Sequence, residues 1–187
     1  MRLSSCAQAL SVLVVLCSAS WVQAADGGPV KDGGPVKREQ LIGAWRLVSM
    51  DYRGPDNSSV DPFYQPGSTG LLIYDSSGWM SVHIVGPHRQ AWKVPLSRLP
   101  TTGSTQDSAL KAAAFDTYYA YFGTWDFDEA HAVVTHHVAS ALLPAEAGQS
   151  YAQQIALDNG RLIFTTHTGP KGRETVRRKI WERAAGS

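Results

Sequence analysis

Cysteine is nearly absent from this chain of 187 residues, and its two copies, Cys6 and Cys17, both fall within the first 24. That opening segment reads as an export signal. Arg2 supplies a basic start, "ALSVLVVLCSAS" an apolar run, and "VQA" before Ala25 a fit to the small-residue cleavage rule, with Val22 and Ala24 at its key positions. The run is shorter than the roughly 20 residues that a membrane span requires. Bulky Leu16 ahead of Cys17 argues against lipoprotein processing. Residues 1–24 are therefore expected to be removed, giving an exported chain, periplasmic or secreted. Such a chain has no disulfide, no thiol nucleophile and no thiolate metal site.

A charge excess is also missing. The chain has 17 basic and 16 acidic residues, and loss of Arg2 balances them at 16 each. No basic stripe is visible, which argues against a nucleic-acid partner. The one basic cluster, "VRRKIWER", lies on a terminal strand pattern and reads as a solvated face. There is no Gly-x-Ser-x-Gly elbow, no glycine-rich phosphate loop and no dinucleotide fingerprint. His83, His136, His137 and His167 fall on strand patterns without His-x-His or His-Glu-x-x-His spacing, so neither a metal site nor another cofactor is expected. Asn57-Ser58-Ser59 is a glycosylation sequon, with meaning only in a eukaryotic secretory host.

What is present is mostly β-pattern. "DGGPVKDGGPVK" repeats a Gly/Pro unit and makes 25–38 a flexible tether, leaving 39–184 as one folded domain. "LIGAWRLVSMDYR" alternates as a first strand, with Trp45 and Leu47 on one face. Three hairpins follow: "GLLIYDSSGWMSVHIVG", "FGTWDFDEAHAVVTHHVASALLP" and "YAQQIALDNGRLIFTTHTG", the last with an Asp-Asn-Gly turn. "ETVRRKIWER" closes the series at about eight strands, the count of a small closed barrel. "TQDSALKAAAFDTYYAYFG" breaks the period: its alanine-rich run reads as one short helix between strands 3 and 4, with Asp107 its expected N-cap and Ala109, Ala113 and Asp116 or Thr117 at helical spacing. The Pro-rich stretch before it is long enough for a binding loop, and loop plus helix are placed to plug one end of the barrel.

"LIGAWRLVS", "GLLIYDSSGWMSVHI", "YYAYFGTWDFD", "VTHHVASALLP" and "IWER", in that order, resemble the lipocalin-like domain family from about Leu41 to Arg183. Gly43-Ala44-Trp45 is similar to the Gly-x-Trp start of true lipocalins. In those proteins the Trp closes the barrel floor and a late Arg stacks over it. The resemblance implies a mainly β, closed, eight-stranded antiparallel barrel able to hold a small apolar molecule. It implies Arg178 or Arg183 as the stacking cation, and it fixes no reaction.

The adjacent His136 and His137 must face opposite sides of a strand. With Asp128 to His131 as the turn, Phe127 pairs with Ala132 and Phe122 with His137. His137 then shares a face with Thr124, Asp126 and Thr135, and His136 shares the other with Trp125, Val134 and Val138. Two readings follow. His137, oriented by Asp126, has the surroundings of a general base, whereas His136 on the greasier face suits a polar anchor in an apolar pocket. The sequence leaves open which one faces inward, and either ring could simply bond within the wall.

Trp45, Trp79, Tyr119, Tyr121 and Trp125 are the aromatic candidates for the pocket, with Trp79 expected opposite Tyr74 across the first hairpin. Arg89 is the cation placed to meet an acidic ligand. The leading functional expectation is an exported barrel that binds a small hydrophobic or amphipathic molecule. The alternatives are a barrel enzyme for a proton-transfer cyclisation, isomerisation or dehydration through His137 and Asp126, and an envelope interaction module exposing Val48 and Met50. The oligomeric state is not legible.

Overall fold

The computed structural model describes residues 34–54, 66–89, 105–171 and 173–185. The export signal, most of the tether, the sequon at Asn57 and the 90–104 part of the long loop lie outside them. A 3-10 turn, Arg38–Gln40, leads into β1, Gly43–Arg53. Then come β2, Thr69–Tyr74, and β3, Trp79–Val85. Helix α1, Thr105–Asp116, precedes β4, Tyr118–Asp128, and β5, Val133–Ala141. The chain ends with β6, Ser150–Asp158, β7, Arg161–Thr168, and β8, Thr175–Arg183. Each strand pairs antiparallel with the next, and β8 pairs back onto β1 to close the barrel.

Closure follows from alternation. Side chains two apart share a face, and in a ring one face has no exit to solvent. Trp45, Leu72, Tyr74, Met80, Trp125, Val134, Leu162 and Trp181 occupy the inner rows and are buried. Asp107 falls inside the first turn of α1, which starts at Thr105, so it is not the N-cap expected of it. Hairpin β6–β7 turns at Asn159-Gly160 with Asp158 opposite Arg161. Both turn residues have positive φ, 48° and 75°, the conformation a two-residue type I′ turn demands.

Two register shifts break the ladder. One extra residue, Val48, separates the pairs Leu47–Trp181 and Ser49–Ile180. Another, Ala139, separates Phe122–Ser140 from Gly123–Val138. The first turns Met50 inward as a half-buried partner of Lys179, so the expected exposed Val48–Met50 patch does not form. The apolar side chains that do face out on β2–β4 are Leu71, Ile73, Trp79 and Phe122.

The end of the barrel near the 3-10 turn is sealed. Arg183 lies 3.9 Å over the Trp45 ring and donates to the carbonyls of Ile42 and Gln40. Trp45 in turn donates its Nε1–H to Leu41 O at 2.8 Å. Arg38 stacks 3.8 Å over Trp125, and Glu129 accepts from the backbone N of Arg38 and from Lys37 Nζ. Each such cation–aromatic contact contributes about 0.5–2 kcal/mol. Of the two arginines expected to cover Trp45, Arg183 does so, while Arg178 belongs to the outward row of β8 opposite Asp51.

At Gly123 the β5 bulge brings the His137 carbonyl oxygen to 1.8 Å from where a Cβ would sit. Gly123→Ala is therefore expected to destabilise the fold by about 2–3 kcal/mol or more, as overpacking against fixed backbone does. Urea unfolding of the two proteins measures it, and an unchanged midpoint would remove the bulge from the account.

Candidate functional site

Register decides which histidine enters the barrel. Trp125 pairs with His136 and Thr124 with His137. The expected pairing of Phe127 with Ala132 is corrected to Phe127 with Val134. That slip of two residues leaves every side chain on its expected face. His136 points inward and is 2% exposed. His137 stands on the outer wall.

His136 is held from both sides. Tyr74 Oη lies 2.5 Å from its Nε2, and Tyr121 Oη lies 2.7 Å from its Nδ1. Burial, reinforced by the charges of Lys179 and His137, pushes the imidazole pKa down to about 3. Burial likewise raises both tyrosines well above the ordinary phenol value. At neutral pH the trio is therefore uncharged and holds three polar hydrogens for two hydrogen bonds.

One hydrogen is left over, and burial decides where. Tyr74 is wholly enclosed, and among the described residues His136 is its hydrogen-bond partner. A surplus O–H there would cost about 1–3 kcal/mol unsatisfied. Tyr121 instead lines a small cavity together with Leu72, Val82, His136, Gln153, Phe164, Lys179 and Trp181. Tyr74 therefore donates to Nε2, Nδ1–H donates to Tyr121 Oη, and the Tyr121 hydroxyl hydrogen is free to meet an acceptor in the cavity.

That cavity measures about 10 Å³, room for one water. Between it and the sealed end, Trp45 and Trp125 are packed as floor. Toward the other end the inner rows carry Tyr119, Tyr151 and Arg177, with Tyr119 Oη donating to Glu146 at 3.2 Å. Tyr121 meets the rings of both Tyr119 and Tyr151 edge-on, at centroid distances of 5.5 and 6.2 Å. Tyr119, Tyr121 and His136 are thus brought together, with Trp45 and Trp125 beneath them.

The other sequence candidates lie elsewhere. Trp79 is 52% exposed on the outer wall opposite Thr124, and Met80 takes the place opposite Tyr74. The expected Trp79–Tyr74 wall pair is corrected accordingly: the Asp75–Gly78 turn sets a register one residue different. Arg89 reaches the C-terminal end of α1, donating to Ala114 O at 2.8 Å and Thr117 Oγ1 at 2.9 Å, and stands apart from the Tyr121–His136 group. His137 Nε2 lies 2.9 Å from Asp126 Oδ2, and its Nδ1 lies 2.8 Å from Ser150 Oγ. This Asp–His–Ser chain has the connectivity of a proton relay. It stands on the open outer wall, where Asp126 is 80% exposed at its side chain.

Sequence reasoning missed Tyr74, Gln153, Lys179 and Trp181. The signal for the last two was alternation within "VRRKIWER": Trp181 anchors an inward row, so Lys179 and Arg177 share it. The basic cluster expected as a solvated face is thus split, with Arg178 outward and these two inward. Among the described residues, no three His, Cys, Asp or Glu side chains converge as metal ligands, and no helix is long and apolar enough to cross a membrane.

A closed up-and-down barrel with one sealed end and polar groups fixed midway along its bore has the architecture of a small ligand-enclosing barrel. Residues 42–184 match the model of the lipocalin-like domain, and the chain belongs to that family. No curated protein matches it significantly.

The neutral state of His136 sets a pH dependence. In the unfolded chain its pKa returns to about 6.5, whereas in the fold it is about 3. Between these values the unfolded state binds the extra proton, so stability falls with falling pH by roughly 1.4 kcal/mol per unit. Above about pH 6.5 the contribution is fully present. The stability gap between wild type and His136→Gln is therefore expected to narrow at that rate below pH 6.5, measured by urea unfolding across pH. A gap independent of pH would contradict the buried neutral imidazole.

Proposed function

We propose that this protein is an exported binder of a small amphipathic molecule, which enters opposite the sealed floor and ends against Tyr121, His136, Gln153 and Lys179. The observation that carries this reading is the surplus of polar groups around the cavity in an otherwise apolar bore. A barrel filled only for stability gains nothing from a half-buried lysine without a carboxylate partner and an unspent hydroxyl hydrogen. A ligand gains from both, since apolar contact contributes about 25 cal/mol per Å² and a few polar groups set orientation. The resting cavity, about 10 Å³, is below the roughly 100 Å³ that even a small ligand needs and far below the roughly 300–1,000 Å³ of a drug-sized pocket, so the resting form does not admit one. Binding thus requires the flexible Lys179 stem, and the tyrosines beyond it, to swing aside. Export rests on the N-terminal segment with its "VQA" cleavage pattern.

Native mass spectrometry of the chain purified from its host's own extract tests the reading. A reproducible added mass is expected, lost on Val82→Ile, whose one extra methylene takes up the cavity from its β3 wall. A clean apo mass, with no response of Trp181 fluorescence to a panel of amphipathic compounds, would contradict it.

A further inference from the structure

The inner rows of the barrel have an uneven charge. Among the described residues the strands contribute Arg177 and Lys179 to them, with Arg183 at the floor, and no aspartate or glutamate. The carboxylate that approaches them is Glu146, beyond β5, which accepts from Tyr119 at 3.2 Å and keeps its Oε2 buried without a hydrogen-bond partner. The acidic residues of the strands lie on the outward rows, among them Asp126 beside His137 and Glu182 in an ion pair with Arg46. No carboxylate pairs with Lys179 among the described residues. Arg177 stands on the same row, two residues away.

Hydrogen-bond donors are in surplus at the same place. The proton count of the Tyr74–His136–Tyr121 trio leaves one hydroxyl hydrogen over, and the enclosure of Tyr74 assigns it to Tyr121. The Trp181 indole N–H is buried with no acceptor in reach. Both side chains and Lys179 line one cavity. Three donors, one of them cationic, thus surround a space in which the Gln153 amide adds one acceptor oxygen and two further N–H groups. His136 adds none, because Tyr74 already occupies its Nε2.

We propose that the ligand is a monocarboxylate with an apolar body, its carboxylate seated inside the barrel on the Lys179 ammonium and the Tyr121 hydroxyl. This deepens the binding reading above and rests on it. A carboxylate presents two oxygens and one charge, which matches one ammonium and one or two neutral donors. A phosphate monoester carries nearly two charges and three strong acceptor oxygens, more than this cluster satisfies. The apolar body then extends past Phe164 and Val82 toward Tyr119 and Tyr151. Burial, with the charge of Arg177 beside it, depresses the Lys179 pKa to about 8. A bound anion relieves both effects.

The test compares matched probes on the full chain by isothermal titration: octanoate, decanoate and 3-phenylpropanoate against the corresponding primary alcohols. The carboxylates are expected to bind at least about tenfold more tightly, the scale of a charge-assisted hydrogen bond. Lys179→Met keeps the stem and removes the charge. It is expected to abolish most of that preference while changing alcohol affinity less than about threefold. Equal binding of acids and alcohols would overturn the anion assignment and leave the pocket standing. Equal weakening of both by Lys179→Met would do the same. Binding of neither class would overturn both this inference and the binding function. The wild-type comparison needs no variant, so it decides the matter even if Lys179→Met fails to fold.

Discussion

The pairing of β8 with β1 is the constraint on which everything inside this protein depends. Once the ring of eight strands closes, each residue is committed to the bore or to the wall. A bore of that size is just wide enough to be filled by side chains or to hold one small molecule. Here side chains fill the bore apart from a cavity of about 10 Å³ beside Tyr121 and Lys179. The floor is filled by Trp45 and Trp125, each under an arginine that the chain supplies from its start or its end. Above it the packing gives way to the polar groups of Tyr74, Tyr121, His136, Gln153 and Lys179.

Those groups are arranged so that none can be changed alone. His136 is kept neutral by burial and is spanned by two tyrosines, which fixes where the hydrogens go. The trio orders the centre of the bore and passes one spare donor to its upper side. Lys179 and Trp181, from the closing strand, present their own donors there. Closure of the barrel and assembly of the site are therefore the same event, because β8 supplies both.

The barrel, its strand count and the single helix were legible because alternation and turn residues are local signals. The inward and outward sets were legible too, even where pairing was misjudged: a shift of two residues in β4–β5 preserves faces, as His137 with Asp126 illustrates. A shift of one does not, and that error placed Trp79 inside. Bulges at Val48 and Ala139 leave no mark in the pattern, which is why Met50 was expected outside. Lys179 was hidden for a different reason. A lysine between arginines reads as surface, and only the tryptophan two residues on argued otherwise. The Ser150 partner of His137 lies one strand further along, at a distance that no spacing rule reaches.

Nitrogen-detected NMR of the His136 ring tests the central claim most directly, because the proposed site depends on where one hydrogen sits. The account requires a neutral ring protonated at Nδ1, with Nε2 accepting, throughout pH 5 to 8. A ring protonated at Nε2 would accept from Tyr121 at Nδ1 and leave the spare hydrogen on Tyr74, away from the cavity, which would contradict the assignment of Tyr121 as the donor that meets the ligand.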